Sequence, residues 1–461
     1  VDLVRNLAAT AALLTLACSG LRSGEGGTDD DFVTASGAGT SRTTTTTTTT
    51  VTTASASSSS SSSTGSVADL PADKFDLGIM PDIQADPGCA AWTENTMTVG
   101  FSNIWIANST EGTVSKIDTV SATEIARYVS GPMADPDPSR TSVNLYGDVV
   151  VVNRGGGIAK IAARLSDCID RNDDGQIQTS SGPGDVLPWG DDECVLWHTD
   201  LPQSGTNGAR PVAWEGTIDE EGCPITHPRL WVGHYNGPIL NQGFFYRLDG
   251  ETGSILDTRT VNEWGQSFDP LTYGPYGGAM DQNGDFWVGG RGDAPVIRIE
   301  EANAFITRFD APFEVSQYGF ALDESGRPWI AGCDGHIQTL DPSNGMWTDI
   351  GDAGGCLRGL QVDREGRGFI AGNSPCRLVE IDTVSQTIVA TDIALPGCLE
   401  PVGVSIDVEG YVWIVDRGAQ QAYKVDPDTY AVDATVAGLV DPYTYSDMTG
   451  AGLNLVVNPP G

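Results

Sequence analysis

The chain has 461 residues, with 62 Asp or Glu against 25 Lys or Arg and a formal net charge of −37. A surface that acidic repels nucleic acid and anionic membrane, which argues against both as partners, and it suits a soluble protein in an extracellular or saline medium. The 57 glycines point to a fold with many tight turns.

From the N-terminus, Arg5 precedes an apolar run from Leu7 to Ala17 that ends at Cys18. The run is too short to cross a bilayer as a helix and reads as an export signal. Leu14-Thr-Leu-Ala-Cys18-Ser-Gly resembles a bacterial lipoprotein signal, with small Ala17 before the Cys and Thr15 departing from the Leu that such signals prefer. The resemblance implies a signal over residues 1–18 and a lipid on Cys18. A plain secretory peptide is the other reading.

Residues 19–70 have no apolar periodicity, and Thr43 to Thr50 and Ser57 to Ser63 are uninterrupted runs of one residue. Such a segment cannot bury enough surface to offset its ordering entropy, so it is expected to be a disordered Ser/Thr-rich stalk. Residues 71–461 then form a globular head. Signal, stalk and head describe an exported lipoprotein at the bacterial outer membrane or cell surface. The periplasm and free secretion are the alternatives, and the only membrane contact is the lipid.

The head is a repeat. An aromatic opens the second strand of each unit, in chain order at Trp105, Trp231, Trp287, Trp329, Phe369 and Trp413, with Val150 in that role in Asp148-Val-Val-Val-Val-Asn153. In the last four units an Asp-x-x-Gly turn precedes the anchor: Asp281 to Gly284, Asp323 to Gly326, Asp363 to Gly366 and Asp407 to Gly410. The Asp can accept backbone N–H groups two or three residues on, and Gly supplies a positive φ. Four strands per unit at a period of about 40 to 45 residues mark a β-propeller blade. The expected fold is all-β: a seven-bladed β-propeller of four-stranded blades. The first unit lacks an innermost strand, and the C-terminal stretch from Tyr445 to Leu453 is expected to pair into it and close the ring.

An insertion at about 166–193 interrupts the second unit. Asp170-Arg-Asn172-Asp-Asp174-Gly-Gln176-Ile matches the start of an EF-hand-type calcium loop. Oxygens at positions 1, 3 and 5 converge, Gly at 6 permits the turn, and Gln176 offers its carbonyl. Ser181 stands where a bidentate Glu belongs, so Asp185, Asp191, Asp192 or Glu193 would have to close the shell. The expectation is a structural Ca²⁺ held by Asp170, Asn172, Asp174, Gln176 and Asp185.

Setting Cys18 aside, eight cysteines remain, and 105 pairings are open to them. The repeat puts Cys333 and Cys356 on two loops of one face, and Cys376 and Cys398 in the same relation, which favours 333–356 and 376–398. Cys168 and Cys194 bracket the insertion. Cys89 and Cys223 are left by elimination. No spacing argues for zinc.

The unit pattern G-x-x-x-D-x-x-G-x-x-W, with the closing Pro442-Tyr-Thr-Tyr-Ser-Asp-Met-Thr-Gly-Ala-Gly-Leu453, resembles the streptogramin lyase (virginiamycin B lyase-like) group of seven-bladed propellers, with NHL-type repeats, over roughly residues 97–455. That resemblance implies Glu and His residues working with Mg²⁺ at the axis to open a lactone ring. Here the third position after each anchor is Asn108, Asn153, His234, Gly290, Gly332, Gly372 or Asp416, and none is Glu. The first strands open with Tyr276-Gly, Tyr318-Gly, Arg358-Gly and Val402-Gly, and none carries His. Asn108, Asn153, His234 and Asp416 are expected to ring one mouth of the channel, joined by Arg154, Tyr235, Arg291, Asn373 and Arg417. Axial oxygen ligands are also similar to the calcium site of gluconolactonase-type lactonases. The reading favoured is a surface-tethered module that binds a small-molecule or protein ligand at this face. The alternative is a metal-dependent lyase or lactonase with Mg²⁺ or Ca²⁺ in the channel mouth.

Overall fold

The computed structural model describes residues 102–202, 208–216, 228–236, 241–265, 274–292, 294–311 and 316–457. The signal, Cys18, the stalk, Cys89 and Cys223 lie outside them. Among the described residues, twenty-seven strands form seven antiparallel sheets. Blade 1 holds β1 (Asn103–Asn108), β2 (Thr113–Asp118) and β3 (Thr123–Val129). Blade 2 holds β4 (Pro138–Val143), β5 (Val149–Asn153), β6 (Ile158–Ile161) and β7 (Val195–Thr199). Blade 3 holds β8 (Val212–Trp214), β9 (Arg229–Tyr235), β10 (Gly243–Asp249) and β11 (Ile255–Val261). Blade 4 holds β12 (Pro275–Met280), β13 (Phe286–Gly290), β14 (Val296–Ile299) and β15 (Ile306–Phe309). Blade 5 holds β16 (Gln317–Leu322), β17 (Pro328–Gly332), β18 (His336–Asp341) and β19 (Met346–Asp352). Blade 6 holds β20 (Cys356–Val362), β21 (Arg367–Asn373), β22 (Arg377–Asp382) and β23 (Thr387–Ile393). Blade 7 holds β24 (Pro401–Ile406), β25 (Val412–Asp416), β26 (Gln421–Val425) and β27 (Val432–Ala437). A short helix, α1 (Ala451–Val457), follows.

Each four-stranded blade is an up-and-down meander. Its first strand packs against the first strands of the neighbouring blades, so that strand is innermost. Burial follows position: β16 and β17 are buried throughout, whereas β19 and β23 alternate towards solvent. A strand covered on both faces needs continuous apolar side chains, and an outer one needs them only every second residue.

The repeat's Asp ties its hairpin to its anchor. Asp323 accepts the Ser325 and Arg327 N–H groups on Oδ1 and the Trp329 indole N–H on Oδ2 at 2.9 Å. Asp281 with Trp287 and Asp407 with Trp413 repeat this at 2.8 Å. The backbone donors thus lie two and four residues on, not two or three. Gly284, Gly326, Gly366 and Gly410 hold φ between 76° and 87°, where a Cβ would be strained. Blade 6 has Phe369, which has no donor, and there Arg367 Nε reaches Asp363 Oδ2 at 2.7 Å. Trp329→Phe leaves a buried carboxylate oxygen without its donor. It is expected to cost about 1–3 kcal/mol in urea unfolding, and a loss below about 0.5 kcal/mol would refute that role.

The ring closes through the C-terminus, as expected, but the pairing begins four residues before Tyr445, at Asp441, and ends within the expected stretch, at Met448. Ser109 N–H donates to Asp441 O, Tyr443 N–H to Ala107 O and Trp105 N–H to Met448 O. Residues 441–448 therefore take the place of blade 1's missing innermost strand, with extra residues bulged out between the last two bonds. From Ala451 the chain is helical. Asp447 sets that change by accepting the Gly450 and Leu453 N–H groups at 2.8 and 3.0 Å, which caps the helix. Leu453, Leu455 and Val456 enter three different core clusters.

Disulfides 168–194, 333–356 and 376–398 are formed. They suit a compartment outside the reducing cytosol. Among the described residues no helix is long and apolar enough to cross a membrane.

Candidate functional site

The innermost strands decide what the axis presents. In β12, β16 and β24 the pairing register slips after the first residue, leaving Tyr276, Tyr318 and Val402 unpaired; in β4 the slip leaves Ser139, beside Arg140. In β20 the register slips across Arg358 and Gly359. Such bulges re-aim side chains. Here the bulges recur at one level of the ring, and together with the closing segment they build one cluster.

Four tyrosine hydroxyls meet there. Tyr443 lies 2.9 Å from Tyr276, 3.0 Å from Tyr318 and 2.7 Å from Tyr445, oxygen to oxygen. Tyr445 also contacts Tyr318 at 3.1 Å and bonds Tyr276. All four side chains are buried. Burial holds the Tyr445 phenol well above its ordinary pKa, so it is a neutral hydroxyl at neutral pH.

Six guanidiniums surround these rings. Arg140 lies 3.4 Å from the Tyr445 centroid and 4.7 Å from that of Tyr276. Arg154 and Arg417 lie over Tyr443, Arg210 over Tyr276, Arg358 over Tyr318, and Arg291 over both Tyr276 and Tyr318, at 4.9 to 5.8 Å. Arg140, Arg210 and Arg358 are buried, whereas Arg154, Arg291 and Arg417 are partly exposed and form the rim. Cation–π attraction of this kind strengthens with desolvation.

Acid–proline pairs open three successive inner segments: Glu400-Pro401, Asp441-Pro442 and Asp137-Pro138. Their carboxylates hold two rim arginines and one buried one. Asp137 pairs with Arg154, Asp441 with Arg417 at 2.6 Å, and Glu400 with Arg358 at 3.0 Å. Asp137 and Asp441 have φ of 51° and 48°, a left-handed backbone that costs about 1–3 kcal/mol per non-glycine residue. Three of the six guanidiniums are thus held by these carboxylates.

At the other end of the same strands, α1 packs on β12, β16 and β24 and so lies across the axis. Beside it a small cavity of about 30 Å³ is lined by Ser142, Met280, Leu322, Gln361 and Asp447.

Of the residues expected at the mouth, Arg154, Arg291 and Arg417 come together. The other expected residues sit elsewhere. Tyr235 is buried and donates to Asn241 Oδ1 at 3.0 Å. Asn373 pairs with Cys356 at the edge of blade 6. Asn108, Asn153, His234 and Asp416 are buried, and no hydrogen bond or ion pair joins any two of them. Asn108 bonds Thr113, Ser115 and the Val440 N–H, and Asn153 donates to Ser130 O at 2.8 Å. Asp416 accepts the Leu399, Glu400 and Ala419 N–H groups at 2.8–3.0 Å. Its oxygens lie near the sulfurs of Cys376 and Cys398, which are joined to each other.

His234 contacts the Tyr246 hydroxyl at 3.1 Å and stacks on Phe244. Burial holds its pKa below the ordinary value, and burial does the same to His198. The unfolded chain therefore takes up these protons first, and stability contributed by the neutral rings is lost as pH falls below about 6.5. His234→Gln is expected to lose less stability than the parent between pH 7 and pH 5 in denaturant titrations. An equal loss in both would show that His234 contributes nothing to it.

In the insertion, Asp170 accepts the Gly175 N–H at 2.8 Å, Asn172 Oδ1 the Asp174 N–H at 2.9 Å, and Asp174 the Gln176 N–H at 2.8 Å. Asp185 belongs to a separate turn, where it accepts the Ser181 hydroxyl. Glu193 is the acid that returns to the loop, accepting the Arg171 and Gln178 N–H groups at 2.7 and 2.9 Å.

No protein-family model matches the chain, and no curated protein is significantly similar to it in sequence. Solved structures similar to it include a streptogramin B lyase, 14% identical over 68% of this chain and 87% of that one, with a TM-score of 0.49. A virginiamycin B lyase from Staphylococcus aureus is 15% identical over 68% of this chain and 92% of that one (TM-score 0.46). AztD from Citrobacter koseri, in its apo form, is 12% identical over 75% of this chain and 96% of that one (TM-score 0.44). At these identities the likeness concerns fold, and no residue role passes across it.

Proposed function

We propose that the protein is an exported, surface-tethered propeller that binds a small-molecule or protein ligand at its axial mouth. The observation that carries this reading is the convergence of four tyrosine hydroxyls among six arginines, at the end of the axis away from α1. Rigid strands hold the floor and loops supply the rim, the usual arrangement of a propeller binding face. The lipid on Cys18 and the stalk over 19–70 would tether the propeller to the membrane. The three disulfides fit such an address. Arg417→Gln, at the rim, should weaken any ligand found by thermal-shift screening of the whole chain. Binding that ignores Arg417, Arg154 and Arg291 alike would move the site elsewhere.

The insertion is proposed as a structural calcium loop, with Asp170, Asn172, Asp174 and the Gln176 carbonyl as ligands and Glu193 better placed than Asp185 to close the shell. The φ of 78° at Gly175 supports it, because position 6 of such loops needs that turn. Elemental analysis before and after chelation should find one calcium per chain. Its removal should raise protease cutting within 166–193, and uncut, calcium-free protein would refute the proposal. A second metal that survives loss of the insertion would turn attention to a lyase or lactonase reaction at the mouth.

A further inference from the structure

Arg140 is the cation at the bottom of the mouth. It is fully buried, and its Nη1 donates to Ser139 O at 2.8 Å. Its Nε and Nη2 have no partner among the described residues, and no carboxylate there pairs with it. Those two nitrogens are the two ends of one guanidinium edge. Nε–H and Nη2–H point the same way, at the spacing that matches two oxygens of a carboxylate or phosphate. A buried charge is ordinarily paired, and a buried donor is ordinarily satisfied. The rings of Tyr445, Tyr276 and Tyr443 support the cation from their faces, but a ring face gives the in-plane N–H groups nothing to bond.

We propose that this edge of Arg140 binds an oxyanion group of the ligand, so that the mouth recognises a small molecule carrying a carboxylate, phosphate or sulfate. The proposal rests on reading the mouth as a binding site and supplies the chemistry of what enters. Asp137, Asp441 and Glu400 are taken up by Arg154, Arg417 and Arg358 and do not neutralise Arg140. The protein's overall negative charge repels anions at long range. Beyond about 8 Å that repulsion is screened at physiological salt, so the floor is decided by its own groups.

The test titrates the whole chain with acetate, sulfate and inorganic phosphate at constant ionic strength, balanced with sodium chloride. The thermal midpoint and the tyrosine near-ultraviolet difference spectrum are followed. At least one oxyanion should saturate both signals. Arg140→Lys, which keeps the charge and loses the fork, should weaken that anion about tenfold or more. Saturation by acetate alone assigns a carboxylate ligand, and saturation by phosphate or sulfate a tetrahedral one. Where Arg140→Lys does not fold, ¹⁵N-arginine spectra of the parent provide the same decision, because a buried Nε–H should shift on saturation. No saturation by any of the three, equal affinity in Arg140→Lys, or unmoved Nε–H resonances would overturn the proposal. A neutral ligand that binds through the rim arginines under those conditions would leave the binding module standing and this inference refuted.

Discussion

A chain ending at Val440 will not hold a folded propeller. Residues 441–457 make up a small part of the chain, but they complete blade 1, contribute two of the four axial tyrosines and lay α1 across three inner strands. Their loss exposes the β1 edge, where Trp105 and Ser109 would lose backbone acceptors and Ala107 its donor. Six large apolar side chains go with them: Tyr443, Tyr445, Met448, Leu453, Leu455 and Val456, each at most 6% exposed. At about 1.5–3 kcal/mol per buried side chain, their burial rivals the whole stability of a typical domain, about 5–15 kcal/mol. The truncated chain is therefore expected to aggregate or to lack a cooperative transition by circular dichroism and size exclusion. An open sheet edge adds an association hazard. A monomeric truncation that unfolds cooperatively within about 2 kcal/mol of the parent would show that the ring does not depend on this closure.

The propeller was legible because each blade repeats a local instruction. Asp323, Gly326 and Trp329 each have a reason that neighbouring residues explain, and the reason recurs at Asp281 and Asp407. The axial cluster was harder to read, because it is assembled from residues more than a hundred positions apart, such as Tyr276 and Tyr443. Its trace was present: Tyr-Gly opens two successive inner strands, Arg-Gly opens the next, and Tyr443 and Tyr445 close the chain. The polar side chains at the third position after each anchor are a more conspicuous signal in the sequence. Those side chains lie on second strands, where loop N–H groups use up Asp416, and two β2 hydroxyls and the Val440 N–H use up Asn108. Arg154, Arg291 and Arg417 come one residue later, where the strand ends and a side chain can leave the sheet. Sequence alone does not rank Asp185 against Glu193, since Glu193 returns to the loop only through the fold of the insertion.

Gly403→Ala is expected to destabilise the protein by about 3 kcal/mol or more, at the upper end of overpacking. A Cβ at Gly403 would stand 1.8 Å from the carbonyl oxygen of Thr444 and 2.9 Å from its carbon. The obstacle is backbone, so no rotamer change relieves it, and Thr444 is itself fully buried in the closing segment. Gly319 meets Arg358 O at 2.0 Å, and Gly359 meets Val402 O at 2.7 Å. In β16, β20 and β24 the glycine at the bulge is therefore what lets successive inner strands close on the axis. Pushing Thr444 outward would move Tyr443 and Tyr445 with it, so the substitution should also broaden the tyrosine near-ultraviolet signal before global unfolding. Gly184→Ala is the control: it lies in the insertion with nothing within 4 Å and no positive φ, and it should be neutral within about 0.5 kcal/mol. Equal stability of the two variants in urea would mean that the inner strands have slack. The hydroxyl cluster would then be a loose packing arrangement, and its geometry could not be the basis of a selective mouth.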